Sequence, residues 1–112
     1  MKVLKKLAFG VSAAAMVASA AAAEVSDGKV KIGLMTDMSS TYSDLAGNGS
    51  VIAAQMAIAD FGGSVAGGPI ELVSADHQNK ADIAANKARQ WGDSEQVDVF
   101  AELVTTSVAL AV

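Results

Sequence analysis

The spacing of apolar residues switches from a period of two to a period near three and a half and back again along this chain, and that alternation constrains the fold more than any motif. Val30, Ile32 and Leu34 alternate with Lys31 and Gly33 before Met35 extends the run, which predicts a strand over Val30–Met35 that becomes buried on both faces. Thr36 to Asn48 is polar and rich in turn residues. From about Ser50, the residues Val51, Ala54, Ile58 and Phe61, widened by Ile52 and Met56, recur at steps of three and four, predicting a helix with one stripe toward a core. Gly62-Gly63 should end it as a left-handed cap. Ser64 to Gly68 reads as a Gly-rich connection, with Pro69 at the edge of a second strand over Ile70–Ala75. Asn79 followed by Asp82 has the pattern of a helix N-cap with an acidic partner, and Ala81, Ala84, Ala85, Ala88 and Trp91 form a second helical stripe that Gly92 closes. Val97–Ala101 is a third strand, and Thr106-Ser107 starts a helix running into Val108 to Val112.

Strand and helix alternation implies an α/β parallel sheet with crossover helices. Right-handed crossovers allow the second strand to lie on one side of the first and the third on the other, giving the spatial order 2-1-3. Open sheets of this kind bind ligands beyond the carboxyl ends of their strands, where the winding reverses. The crevice is therefore expected between the loops Asp37 to Gly47 and Glu102 to Ser107.

Met1 to Ala23 reads as an export signal and not as part of the folded unit. Lys2, Lys5 and Lys6 are followed by an apolar, small-residue stretch from Leu7 to Ala20, and Ala21-Ala22-Ala23 offers a cleavage site before Glu24. As a membrane anchor the stretch is short, about 17 residues, and it is rich in alanine. Beyond it, five basic side chains (Lys29, Lys31, Lys80, Lys87 and Arg89) face all 12 acidic ones, a balance unsuited to nucleic acid or anionic lipid. The chain has no cysteine, which excludes a disulfide framework, a thiol nucleophile, a Cys-ligated zinc site and a lipid-anchored N-terminus. The expected destination is a bacterial periplasm.

No cofactor is expected. Gly47-Asn48-Gly49 is the nearest approach to a dinucleotide fingerprint, but it lies about ten residues past the strand and has Ile52 where the third glycine belongs. His77, the single histidine, would serve a hydrolase as general base. It lacks a Gly-x-Ser-x-Gly elbow, follows the strand displaced from the crevice, and reads better as a solvated or hydrogen-bonded loop residue. One histidine and scattered carboxylates also lack metal-ligand spacing. Thr105-Thr106-Ser107 has two readings: capping of the third helix, or presentation of hydroxyls and free N–H groups to an anion such as a carboxylate. Tyr42 is similarly divided between walling a pocket and covering the core. Trp91, Met35, Met38 and Met56 read as packing residues.

Several segments together resemble a known family: Val30-Lys31-Ile32-Gly33-Leu34-Met35-Thr36-Asp37-Met38-Ser39, Tyr42-Ser43-Asp44-Leu45-Ala46-Gly47, Ala57 to Gly63, Pro69 to Asp76, Asn79-Lys80-Ala81-Asp82 and Thr105 to Ala111. Their order and spacing resemble the N-terminal lobe of periplasmic substrate-binding proteins of branched-chain amino-acid-type ABC transporters, related to leucine-binding proteins. The resemblance implies a Rossmann-like lobe of a type I periplasmic binding fold, with residues 24–112 as part of that lobe. It implies a non-enzymatic protein that closes two lobes on an amino acid or small carboxylate and delivers it to an inner-membrane permease with a cytoplasmic ATPase. In that family a hydroxyl residue at the start of the helix after the third strand holds the ligand carboxylate, which would be Thr105 and Thr106 here. The loop after the first strand lines the pocket, which would bring in Ser39, Tyr42 and Leu45. Threonines stand where relatives often carry serine, and a disulfide found in some relatives cannot form. A sensory receptor domain can use the same fold, and an exported hydrolase fragment is the alternative from another class. The sequence is expected to be the first part of a longer protein, and three strands with a short last helix should leave much apolar surface uncovered.

Overall fold

The computed structural model describes residues 25–112, so the export-signal reading of Met1 to Ala23 lies outside the described residues. Seven elements follow in order: β1 (Val30–Thr36), α1 (Gly47–Phe61), β2 (Ser64–Val65), β3 (Gly68–Asp76), α2 (Ala81–Asp93), β4 (Val99–Ala101) and α3 (Thr106–Ala111). They build one sheet in the order β2-β3-β1-β4. β1 pairs in parallel with β3, with Ile32 opposite Leu72 and Thr36 opposite Asp76, and in parallel with β4, with Leu34 opposite Ala101. The three strands read from the sequence thus hold their expected order, with the first in the middle. Consistent with a strand covered on both faces, Gly33, Leu34, Met35 and Thr36 are buried in succession.

The core lies on the face covered by α2 and α3. Met35, Ala84, Ala88, Trp91 and Val108 form it, with Val73, Ala75, Val97, Phe100 and Leu103 packed around them. Trp91 completes the α2 stripe as its spacing requires, and its ring centroid is 5.9 Å from that of Phe100. It lies against β1 because Gly33 has no side chain: a Cβ there would sit 2.6 Å from Trp91 Cζ3 and 2.8 Å from Val97 Cγ1. On the opposite face α1 is held more loosely. Val51, Ala54 and Ile58 are half-buried, whereas Ile52, Met56 and Phe61, which the periodicity assigned to the same stripe, are exposed, Phe61 to 67%. The helix is apolar around most of its circumference, so spacing alone could not say which residues would turn inward.

Several boundaries move. The connection Ser64 to Gly68 is itself a tight antiparallel hairpin, with Ser64 opposite Pro69 and Val65 opposite Gly68. The chain enters it through the expected left-handed cap: Gly62 has φ 103°, and the N–H groups of Gly62 and Gly63 donate to the carbonyls of Ala59 and Ile58. α1 begins at Gly47, ahead of Ser50. Lys80, not Asn79, is the N-cap of α2, without a side-chain capping bond, because Asn79 is in the left-handed region at φ 53°. α2 runs through Gly92 to Asp93, and Val97 stays out of β4 because its N–H donates to the Trp91 carbonyl in the turn leaving α2. No helix among the described residues is long and apolar enough to cross a membrane.

Candidate functional site

The carboxyl ends of β1, β3 and β4 carry most of the polar side chains that the fold removes from water. After β1 the chain turns away through Asp37, whose side chain is fully buried. Its Oδ1 accepts the N–H groups of Ser39 (3.3 Å) and Ser40 (2.8 Å), and its Oδ2 accepts the Tyr42 N–H (2.9 Å) and the Ser40 hydroxyl (2.6 Å). This is the local side chain to backbone pattern that a short acidic residue favours after a strand. Burial pushes the Asp37 carboxyl up, but the bonds from the Ser40 hydroxyl and from the N–H groups of Tyr42, Ser40 and Ser39 together outweigh it and bring it down from 3.8 to about 2.

Asp76, last residue of β3, lies opposite Thr36 in register and reaches the same loop from the side. Its Oδ1 accepts the N–H groups of Met38 (2.9 Å) and Gln78 (2.8 Å), and its Oδ2 accepts the Ser39 hydroxyl (2.6 Å). Burial and the neighbouring Asp37 charge raise its pKa, yet these three donors hold it below the ordinary carboxylate value. Beyond them the chain makes a turn in which Ser43 N–H donates to the Ser40 carbonyl and Leu45 N–H to that of Tyr42.

Of the residues expected in the first loop, Ser39 and Tyr42 are brought together through Asp37, and Ser39 is exposed. Tyr42 is 38% exposed, and Leu45 stands on the same turn at 79% exposure. Thr105 and Thr106 follow β4, the strand paired with β1, and make no hydrogen bond to that group among the described residues. The first loop's helix and the β4 loop are tied instead by Ser50, whose hydroxyl donates to Glu102 Oε1 at 2.9 Å. Glu102 itself has φ 66°, an uncommon conformation for a residue with a side chain.

The capping role considered for Thr105 is not the one it takes. It occupies the N-cap of α3, but its side chain makes no capping bond, and its Oγ1 is buried without a partner among the described residues. Thr36 Oγ1 and His77 Nε2 share that condition. His77 is 1% exposed and hydrogen-bonded, so of its two expected states, solvated or hydrogen-bonded, it takes the second. Its Nδ1 accepts the Asn79 N–H at 2.9 Å and its own N–H donates to the Thr36 carbonyl, so burial follows from its place directly beyond β3. No group of three or more His, Asp or Glu that could hold a metal ion occurs among the described residues.

Asp37 and Asp76 are the residues that reasoning from the sequence passed over. The Asp-x-x-Ser spacing from Asp37 to Ser40 was a visible signal for a carboxylate closing its own loop. The role of Asp76 could be found only once the register of β3 against β1 was known.

Comparison with known proteins agrees with the fold. A family model described as periplasmic binding protein matches residues 29–112. No curated protein matches the chain. Among solved structures, a periplasmic binding protein from Burkholderia mallei is 53% identical, with a TM-score of 0.73 over 76% of this chain and 23% of its own. A branched chain amino acid ABC transporter periplasmic ligand-binding protein from Burkholderia xenovorans is 51% identical, with a TM-score of 0.71 over 74% of this chain and 22% of its own. A solute binding protein of an ABC transporter from Rhodopseudomonas palustris, in complex with 3,4-dihydroxybenzoic acid, is 28% identical, with a TM-score of 0.66 over 75% and 23%. The chain thus spans about a quarter of the length of these relatives. With the fold, the strand order and the family model in agreement, the chain belongs to the periplasmic binding protein family.

Proposed function

We propose that residues 24–112 supply one wall of a ligand site in a two-lobed solute-binding protein, exported by the segment 1–23 to the periplasm. The ligand is an amino acid or a small aliphatic or aromatic carboxylate, passed on to an inner-membrane permease with its cytoplasmic ATPase. Ser39, Tyr42 and Leu45 contribute from the loop after β1, and Thr105 and Thr106 from the loop after β4. One observation carries the reading: the buried side-chain atoms without partners among the described residues, on Thr36, His77 and Thr105, all lie at the carboxyl edge of the sheet. A buried polar atom left unpaired is costly, and a ligand or ordered water arriving at that edge would relieve it. That edge is also where open α/β sheets take ligands. The relatives named for branched chain amino acids and solved with 3,4-dihydroxybenzoic acid support a carboxylate as the shared chemistry. The assignment is to binding without catalysis, since the one histidine is enclosed and its Nδ1 is engaged by the backbone.

The test uses a two-lobed hybrid, in which residues 29–112 replace the matching segment of the Burkholderia mallei protein. L-Leucine, benzoate and 4-hydroxybenzoate are added singly and the melting midpoint is followed. A rise with at least one of them, reduced by Thr105→Ala or Thr106→Ala, is expected. A rise that survives both changes intact removes these threonines from the site, and no rise with any small carboxylate removes the function.

A further inference from the structure

Ser39 has two hydrogen-bond donors, and carboxylates take both. Its N–H goes to Asp37 Oδ1 at 3.3 Å and its hydroxyl to Asp76 Oδ2 at 2.6 Å. Asp76 is an ionised acceptor that already receives two backbone N–H groups, so the proton in the short contact comes from Ser39. The neighbouring donors are engaged in the same way: Met38 N–H on Asp76, and Ser40 N–H, Ser40 hydroxyl and Tyr42 N–H on Asp37. What Ser39 turns to solvent is therefore an oxygen with lone pairs and no hydrogen to give. Its exposed position at the carboxyl edge of β1 puts that oxygen where an incoming ligand would meet it.

We propose that Ser39 is a specificity-determining residue that offers a ligand an acceptor only, and that Asp76 is the positioning residue that fixes it so. The inference rests on the binding function proposed above and narrows its ligand class. A carboxylate presented to this wall would meet a lone pair and two nearby negative charges, and is repelled. An ammonium or a hydroxyl hydrogen would find an unfilled acceptor. The ligands selected carry a hydrogen-bond donor in addition to their carboxylate, so plain fatty or aromatic acids are discriminated against by an unpaired Ser39 oxygen.

Two probe pairs differ by one donor each: L-leucine against 4-methylpentanoate, and 4-hydroxybenzoate against 4-fluorobenzoate. Calorimetric titration of the two-lobed hybrid is expected to show the donor-bearing member of at least one pair bound about tenfold more tightly. Ser39→Ala should narrow that ratio to about threefold or less. Asp76→Asn keeps an oxygen for the Met38 and Gln78 N–H groups, but its amide nitrogen donates to Ser39 and turns the serine hydroxyl outward. The ratio should then fall below that of Ser39→Ala, because the released hydroxyl favours an acceptor. A general loosening of the loop would weaken both members of a pair alike and leave the ratio unchanged. Binding with the wild-type ratio retained in both variants overturns the role of Ser39 and leaves the transport function standing. Failure of the wild-type hybrid to bind any of the four acids overturns both.

Discussion

Between Asp37 and Tyr42, four backbone N–H groups and two hydroxyls end on two carboxylates, whereas beyond β4 the hydroxyl of Thr105 is buried with no partner among the described residues. The two loops flank neighbouring strands, yet one is saturated internally and the other is left incomplete. Saturation fixes shape without any ligand and uses up the donors that a ligand could engage. Incompleteness does the reverse: a hydroxyl with no partner is an unfavourable feature of the empty protein and a ready contact for an anion. The site proposed from these two walls would discriminate by position, reading an anionic group against the β4 side and a donor group against the β1 side.

The contrast can be broken or sharpened by experiments on the two-lobed hybrid. The largest effect is expected from Asp37→Ala, which strips four donors of their acceptor at once. Binding of the best probe should weaken by more than ~10-fold and the midpoint should fall, as read by titration and by thermal melting. Thr105→Val comes next and should separate two quantities that usually move together. The change keeps the shape and deletes an unpaired hydroxyl, so stability should stay level or rise by up to ~1 kcal/mol while ligand affinity drops about tenfold. A stability loss instead would show that the hydroxyl has a partner in the empty protein.

Acid should act on the first loop in a defined window. Asp37 titrates at about 2 in the fold against 3.8 ordinarily, so its contribution is complete above pH 4 and is lost as pH falls from there toward 2. Wild type should therefore lose midpoint more steeply over that range than Asp37→Asn, in melts taken at half-unit steps. Ser40→Ala removes one 2.6 Å bond to Asp37 and should cost about 1 kcal/mol by denaturant unfolding. The smallest effect belongs to the tie between the two walls. Ser50→Ala should cost ~0.5 kcal/mol, and Glu102→Gln, which keeps the accepting oxygen, should cost less than Glu102→Ala.

The sheet was legible because period and handedness are properties of the chain itself. Alternation located β1 and an apolar run located β3, and the rule of right-handed crossovers gave their order without any contact being known. The β2 hairpin escaped because two residues are too few to show a period, and Gly-rich sequence at Gly62 to Gly68 reads equally well as a bare turn. The position of Thr105 beside the winding reversal was also readable, as it depends only on strand order. Its unpaired state was not, since that depends on how the chain leaves β4 through Glu102 at positive φ. Asp76 was hidden for a related reason: its partners, Met38 and Ser39, are nearly forty residues away in sequence and meet it only through the register of β3 on β1. Local spacing reveals a residue's element, whereas its partners are set by pairing between elements.

The placement of β1 in the middle of the sheet has a consequence for how such a chain is made. A ribosome releases this strand first, but both of its neighbours come later, and contacts such as Lys29 with Glu71 and Lys31 with Asp98 join residues 42 and 67 positions apart. Until the second of these neighbours has emerged, the most deeply buried strand among the described residues has at least one bare edge, and long-range parallel pairing of this kind forms slowly. A chain with this topology therefore depends on whatever keeps it unfolded until its later strands are made, because the order of synthesis runs outward from the centre of its sheet.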